Sequence, residues 1–317
     1  MHGLQLPFFG NIDGASSVLI SGAGGGFDVL SGLPLFYALR DSGKRVYLAN
    51  LSFTNLRSAA GAWLGPKLME VTPETQTEEA FFPERALSCW LREEGYSVPV
   101  YAFERGGVRS LVDSYKILVN TLKLDAIILA DGGTDSLMRG DEFDLGTPEE
   151  DIASILAVNE LDVERKSLVC LGFGVDTFHG VCHAQFLENV SSLIRDGAYL
   201  GAFSLTEDMP AVNAYRQAVR SVLEQSPPEY VSIVCTSINS AIEGRFGDYH
   251  ATNRTRESRL FINPLMSIYW CFDIAGVASR ILYGEAARGT ETFEELVSVI
   301  AEFRAKCTPR PWKDIPA

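Results

Sequence analysis

The stretch Ser17-Val-Leu-Ile-Ser-Gly-Ala-Gly-Gly-Gly-Phe-Asp28 limits the fold more than any other part of the chain. An apolar run ends in four glycines within five residues, Gly22 to Gly26, and an acid stands where a helix should begin. Glycine lets the backbone approach a ligand closely, and the N–H groups of a helix N-terminus favour an anion. A carboxylate at that place suits a cation, a ribose hydroxyl or an amine instead. A strand, a tight turn and a helix in this order open an α/β sheet.

The pattern continues along the chain. Val29 to Ser42 has helical periodicity, and Arg45–Leu51 (RVYLANL) reads as the second strand. Residues 52–97 are where an insertion or lid would lie, because Ser52 to Thr75 is irregular and carries Asn55, Gly61, Gly65 and Pro66. Further strands are expected at Val98–Phe103, Asp125–Ala130, Ser167–Gly172, Tyr199–Leu205, Tyr230–Thr236 and Ser258–Ile262. Helices are expected from Glu78 or Pro83 to Glu94, and at Val108–Leu122, Asn213–Glu224, Pro264–Tyr283 and Thr292–Lys306, with another leading to Asp196. Thr147-Pro148-Glu149-Glu150 has the form of a capping box and starts a helix to Leu161. The residues after Thr308 read as a tail, packed on the surface or frayed. The expected architecture is a doubly wound, mostly parallel, Rossmann-like sheet of about seven or eight strands. No repeat or linker divides residues 1–317, so a single domain is expected.

Composition narrows the function. The formal charge of −14 disfavours a nucleic-acid groove, which needs positive surface. The six cysteines form no CxxC pair and several lie in apolar runs, as reduced core residues do. The first residues lack the basic region and long apolar core of a signal peptide. Pro264 to Tyr283 is the most membrane-like segment, but Asp273 and Arg280 interrupt it. A cytoplasmic protein with a small-molecule substrate is expected, with neither nucleic acid nor membrane as partner. A homo-oligomer is left open.

Ligands in open α/β sheets bind beyond the carboxyl ends of the strands. Three strands end there in glycines plus an acid: Gly22–Asp28, Asp131–Asp135 and Gly172–Asp176. Acids on a common rim can hold a divalent cation or do acid–base work. Asp28, Asp131 and Asp135 are the candidate metal ligands, for Mg or Mn. Thr134 is a candidate substrate donor, and Asp135 and Asp176 also count as catalytic candidates. The amides of Gly24, Gly25 and Gly26 are expected to hold an anionic group.

The glycine turn does not fit GxGxxG, since Phe27 takes the third glycine's place. The acid expected about twenty residues later is also missing, with Ala49-Asn50-Leu51-Ser52 at that point. His179 and His183 stand at i, i+4, but Gly180 replaces the glutamate of a zinc HExxH motif. His179 is the better general acid or base. Cys182 reads as a buried thiol before a nucleophile, and Asp141, Glu142 and Asp144 as a solvated acidic loop. Arg254 and Arg256 lie in a long polar segment and are the candidate clamps for a carboxylate or phosphate.

The GGGFD turn, the DGGTDS loop and the GVDxxHG segment together resemble the uncharacterised "domain of unknown function eleven fifty-two" family, from about Val18 to Arg280. That resemblance implies an α/β fold and a shared rim of acids, and no substrate. A fainter likeness links Gly22-Ala-Gly24 and Ser31-Gly-Leu-Pro34-Leu-Phe36 to the sirtuin GAG…SGxPxF element. Val175-Asp176 with Phe178-His179 is similar to that family's NxDxLH, and Thr236-Ser237 to its GTS. It implies NAD binding, although the zinc-binding CxxC pairs are absent from the sequence.

The residues together lead to an enzyme, a hydrolase or lyase, acting on a small polar, phosphorylated or nucleotide-like metabolite with a divalent cation. An NAD-consuming enzyme and a non-catalytic ligand-binding protein are the alternatives.

Overall fold

The apolar runs lie side by side in one sheet in the computed structural model, which describes residues 4–315. Its strands are β1 (Ser17–Gly22), β2 (Arg45–Ser52), β3 (Ala62–Gly65), β4 (Leu68–Val71) and β5 (Val100–Glu104), followed by β6 (Ala126–Gly132), β7 (Arg165–Leu171), β8 (Tyr199–Ser204) and β9 (Ile268–Asp273). The order across the sheet is β3-β4-β5-β2-β1-β6-β7-β9-β8. The five central strands, β5-β2-β1-β6-β7, run parallel. Every pairing outside them is antiparallel. The sheet is therefore mixed, with nine strands instead of the mostly parallel seven or eight expected.

Helices α1 (Pro7–Asp13), α2 (Asp28–Ser31), α3 (Leu33–Asp41) and α4 (Pro83–Glu93) belong to the first half of the chain, with α5 (Val108–Leu122) and α6 (Pro148–Asn159) after them. The second half adds α7 (His183–Arg195), α8 (Pro210–Glu224), α9 (Ile233–Ile242), α10 (Ile274–Ala278), α11 (Gly284–Ala287) and α12 (Phe293–Lys306). One apolar core joins α5, α6, α7 and α12 to the sheet, and a second joins α1, α3, α4, α8 and α9 to its other face. β1 and β6 are buried at every position, as strands covered on both faces must be.

Three expectations fail for identifiable reasons. Tyr230–Thr236 is not a strand. Pro227 and Pro228 are followed by Ser232, whose hydroxyl accepts the Cys235 N–H at 3.1 Å and caps α9. An N-cap bond thus outweighs the β-branched residues behind it. Ser258–Ile262 is no strand either, and its one ladder contact is a bridge from Ile262 to Gly247. Pro264–Tyr283 is not one helix. Asn263 caps a short 3-10 turn over Pro264–Ser267, and the aromatic run Ile-Tyr-Trp-Cys-Phe-Asp becomes β9. The slot between β7 and β8 takes it, because sheet pairing buries those rings.

The 52–97 segment, expected as an insertion or lid, contains a hairpin. Its strands β3 and β4 extend the sheet edge at β5. Residues 308–315 are packed down: Arg310 reaches Asp141, Glu142 and Glu188. The acidic loop is also not solvated throughout. Glu142 is fully buried and accepts hydrogen bonds from the Arg139 and Gly140 N–H groups and from Asn189. Among the described residues no helix is long and apolar enough to cross a membrane. All six cysteines are free, and Cys170, Cys182, Cys235 and Cys271 are buried.

Candidate functional site

The parallel register of β1, β6 and β7 brings their carboxyl ends to one edge, and the three glycine-plus-acid loops meet there. After β1 the chain turns back through Gly25 and Gly26, at φ +89° and +59°. A Cβ on Gly25 would stand 2.6 Å from the Leu51 carbonyl and 2.7 Å from the Phe53 ring. Only glycine fits under that ring. The Gly24 N–H donates to Asp28 Oδ2 at 2.7 Å, so Asp28 folds back onto the turn. That amide is engaged, and of the three expected donors the Gly25 and Gly26 N–H groups have no partner among the described residues.

The missing acid at the end of β2 has a substitute. Asn50 Nδ2 donates to the Gly26 carbonyl at 2.9 Å and to Glu84 Oε1 at 2.8 Å. Glu84 comes from α4, is fully buried, and burial pushes its carboxyl up to about 7. It braces the turn from beneath and offers nothing to a ribose.

At β6, Asp131 accepts a hydrogen bond from the Ser136 hydroxyl. At β7, Asp176 Oδ2 accepts the Thr134 N–H at 2.7 Å and the Thr134 hydroxyl at 3.2 Å. Thr134 is thereby bonded to Asp176 and lines neither cavity described below. The Thr147 capping box does not form: both the Thr147 N–H (2.9 Å) and its hydroxyl (3.2 Å) go to Asp135 Oδ2. This locks Asp135 to the start of α6 and brings in the residue that sequence reading missed. Asp151, on the first turn of α6, meets Asp28 and Asp131, with one oxygen of each within 4.8 Å of the others. Asp135 is not among these three. Asp151 is 2% exposed, and its Oδ1 has no hydrogen-bond partner among the described residues. A signal for it exists in the sequence. Pro148–Asn159 is apolar nearly all round, so an acid at its start has no solvent face to occupy.

The electrostatics are those of uncompensated charge. Burial, with like-charge neighbours adding to it, raises the carboxyls of Asp131, Asp151 and Asp176 well above the usual range. Burial likewise pushes Asp28 up to about 8 and raises Asp135, though the Thr147 bonds oppose it there. Glu150 is pushed to about 7 by burial. It is the one acid of this rim paired with an arginine among the described residues, Arg105 at 3.7 Å.

The acids line a cavity of about 250 Å3. A second cavity of about 240 Å3 adjoins it and shares Gly25, Asp28, Phe53, Phe178, His179 and Val234. Its walls include the aromatic rings of Phe27, Phe81 and Tyr230 as well as His179, and the exposed Arg254 also lines it. His179 packs on Phe178 with ring centres 3.8 Å apart. Partial burial holds its imidazole below the usual value; Asp135 opposes that shift and Arg254 adds to it. His183 does not join it: Gly180 breaks the chain between them, and His183 bonds the Thr177 hydroxyl at 2.8 Å. Cys182 is buried beneath the tail, against the Lys313 carbonyl. Arg256 is exposed and lines neither cavity.

The model of the family described as "Protein of unknown function (DUF1152)" matches residues 62–306. The chain belongs to that family. Asp131, Asp151, Asp176 and His179 lie inside the matched stretch of this family member, while the Gly22–Asp28 turn lies before it. No curated protein and no solved structure matches the chain.

Proposed function

We propose that the protein is a divalent-cation-dependent enzyme, a hydrolase or lyase acting on a small phosphorylated or nucleotide-like metabolite. The observation that carries this reading is the convergence of Asp28, Asp131 and Asp151 from separate elements within 4.8 Å, with no cationic side chain paired to them among the described residues. Clustered carboxylates, two of them buried, are costly without a counter-charge. Oxygen-only ligands of this kind suit Mg or Mn better than softer metals. A cation bound there supplies Lewis-acid polarisation of a substrate oxygen. The central order β5-β2-β1-β6-β7 supports a Rossmann-like reading, with the ligand outside the carboxyl ends of its parallel strands.

The chain's own groups have separable tasks. Asp135 and Asp176, held by Thr147 and Thr134, keep the loops of β6 and β7 in place and present their remaining oxygens to the cavity. Partial burial favours the neutral form of His179, which suits it to accept a proton from an attacking water or from a substrate carbon. Arg254 neutralises the anionic part of the substrate.

Titration of EDTA-treated protein with Mn2+ in a calorimeter tests the reading. Saturable binding is expected in the wild type, with loss of at least tenfold in affinity for Asp151→Asn. Absence of binding by the wild type sinks the cation site. Heat from NAD in the presence of EDTA, without any from Mn2+, favours the NAD-consuming alternative.

A further inference from the structure

The first turn of α9 stands where a strand was expected, and it faces the aromatic cavity. The Cys235 N–H is taken by Ser232 Oγ and the Thr236 N–H by the Ser232 carbonyl, at 3.1 and 3.2 Å. The N–H groups of Ile233 and Val234 have no partner among the described residues, and both residues line the cavity. Arg254 is held beside this turn, since its Nη1 donates to the Val231 carbonyl at 2.8 Å. Its Nε and Nη2 make no bond among the described residues. The Ser31 hydroxyl is an independent sign of a ligand: it is fully buried, lines the same cavity and has no hydrogen-bond partner. A Cβ on Gly132 would lie 2.8 Å from Ser31 Oγ, 2.9 Å from Asp28 Oδ1 and 3.2 Å from Val234 Cγ1. The Ser31 hydroxyl, the Asp28 carboxyl and the Val234 side chain therefore meet at one spot.

We infer that the first turn of α9, with Arg254 and Ser31, seats the phosphoryl group of the substrate, whose flat aromatic body lodges against Phe27, Phe81 and Tyr230. Two free N–H groups at the positive end of a ten-residue helix and the free edge of a guanidinium are the donors that a tetrahedral dianion recognises. Ser31 adds a hydroxyl donor from below. The wall is continuous, with ring centres 5.3 Å apart for Phe27 and Phe81 and 4.9 Å for Phe81 and Tyr230. Such rings hold a planar group by edge and face contacts. The inference deepens the proposed function, since a phosphoryl group seated here has Asp28 beside it and lies next to the proposed cation. The seat itself needs no metal.

Calorimetry of the full chain in EDTA with phenyl phosphate, inorganic phosphate, phenol and benzoate tests the seat. Phenyl phosphate is expected to bind at least tenfold more tightly than the other three. Arg254→Ala should weaken it about tenfold or more and Ser31→Ala several-fold. Arg256→Ala, an equal loss of charge outside the cavity, should leave it unchanged. Equal weakening by Arg254→Ala and Arg256→Ala, or benzoate or phenol binding as tightly as phenyl phosphate, overturns the seat. So does the absence of phenyl phosphate binding. Mn2+ titration of the same protein after dialysis to remove the EDTA separates the two readings. Phenyl phosphate binding without Mn2+ binding removes the cation site alone, and Mn2+ binding without phenyl phosphate binding removes the phosphoryl seat alone.

Discussion

Asp28 illustrates how one carboxyl ties stability to ligand. Burial raises it to about 8, and burial also lifts Glu84 and Glu150 to about 7. An unfolded chain releases these protons above about pH 4, while the folded one retains them to about 7 or 8. The metal-free protein therefore loses stability as pH rises through that window, and this contribution is flat above it. A divalent cation favours the ionised acids and reverses the trend. We expect the metal-free Tm to fall between pH 5 and 8, and Mn2+ to raise it more at pH 8 than at pH 5. Asp28→Asn should raise the metal-free Tm at pH 8 by about 2–4 °C, by removing a like charge, and should abolish the Mn2+ effect. A Tm indifferent to Mn2+ at both pH values contradicts this account. Differential scanning calorimetry decides it.

At the scale of elements, the β1–α2 turn is the least tolerant piece of backbone in the site. Gly25 adopts φ +89° directly under Phe53 and beside the Leu51 carbonyl, so a methyl group there meets backbone that cannot retreat. Gly25→Ala is expected to destabilise by about 1–3 kcal/mol, measured by urea unfolding. Unchanged stability would mean that the turn relaxes freely. The start of α6 shows a different economy. Thr147 gives up its capping bond in order to hold Asp135, and that exchange fixes where Asp151 points.

At the scale of the whole molecule, the C-terminal residues act as a clasp. Arg310 pairs with Glu142, whose side chain is 0% exposed, and with Asp141 and Glu188. Arg304 adds bonds to the carbonyls of Gly140, Glu142 and Phe143. The clasp holds the loop between β6 and α6, the same loop that carries Asp135 at its beginning. Arg310→Ala leaves the buried Glu142 carboxylate with its three other hydrogen bonds but without this counter-charge, and should cost about 1–3 kcal/mol by urea unfolding. Hydrogen exchange should rise first in the 138–146 loop. Exchange that rises uniformly instead would show that the clasp has no local target.

Much of the binding edge was legible in the sequence. Apolar runs of strand length ending in glycines and an acid announced β1, β6 and β7, because a strand buried on both faces can be polar only where it leaves the sheet. His179 was legible as a titratable group near one of those ends, and Arg254, with Arg256, as a cation in a long polar segment; only Arg254 lines a cavity. Local signals also settled the helices over Val108–Leu122 and Thr292–Lys306, where side-chain spacing acts within one segment. Only the tertiary structure decided the rest. The assembly of Asp28 and Asp131 with Asp151 depends on which loops share an edge and on where Thr147 spends its hydrogen bonds. The same is true of β9 and α9: a run of β-branched and aromatic residues has no fixed conformation until a vacant sheet position or a capping serine competes for it. Which acids line the Gly22–Asp28 turn, and whether they face a cation, is a property of packing across distant segments that no single stretch contains.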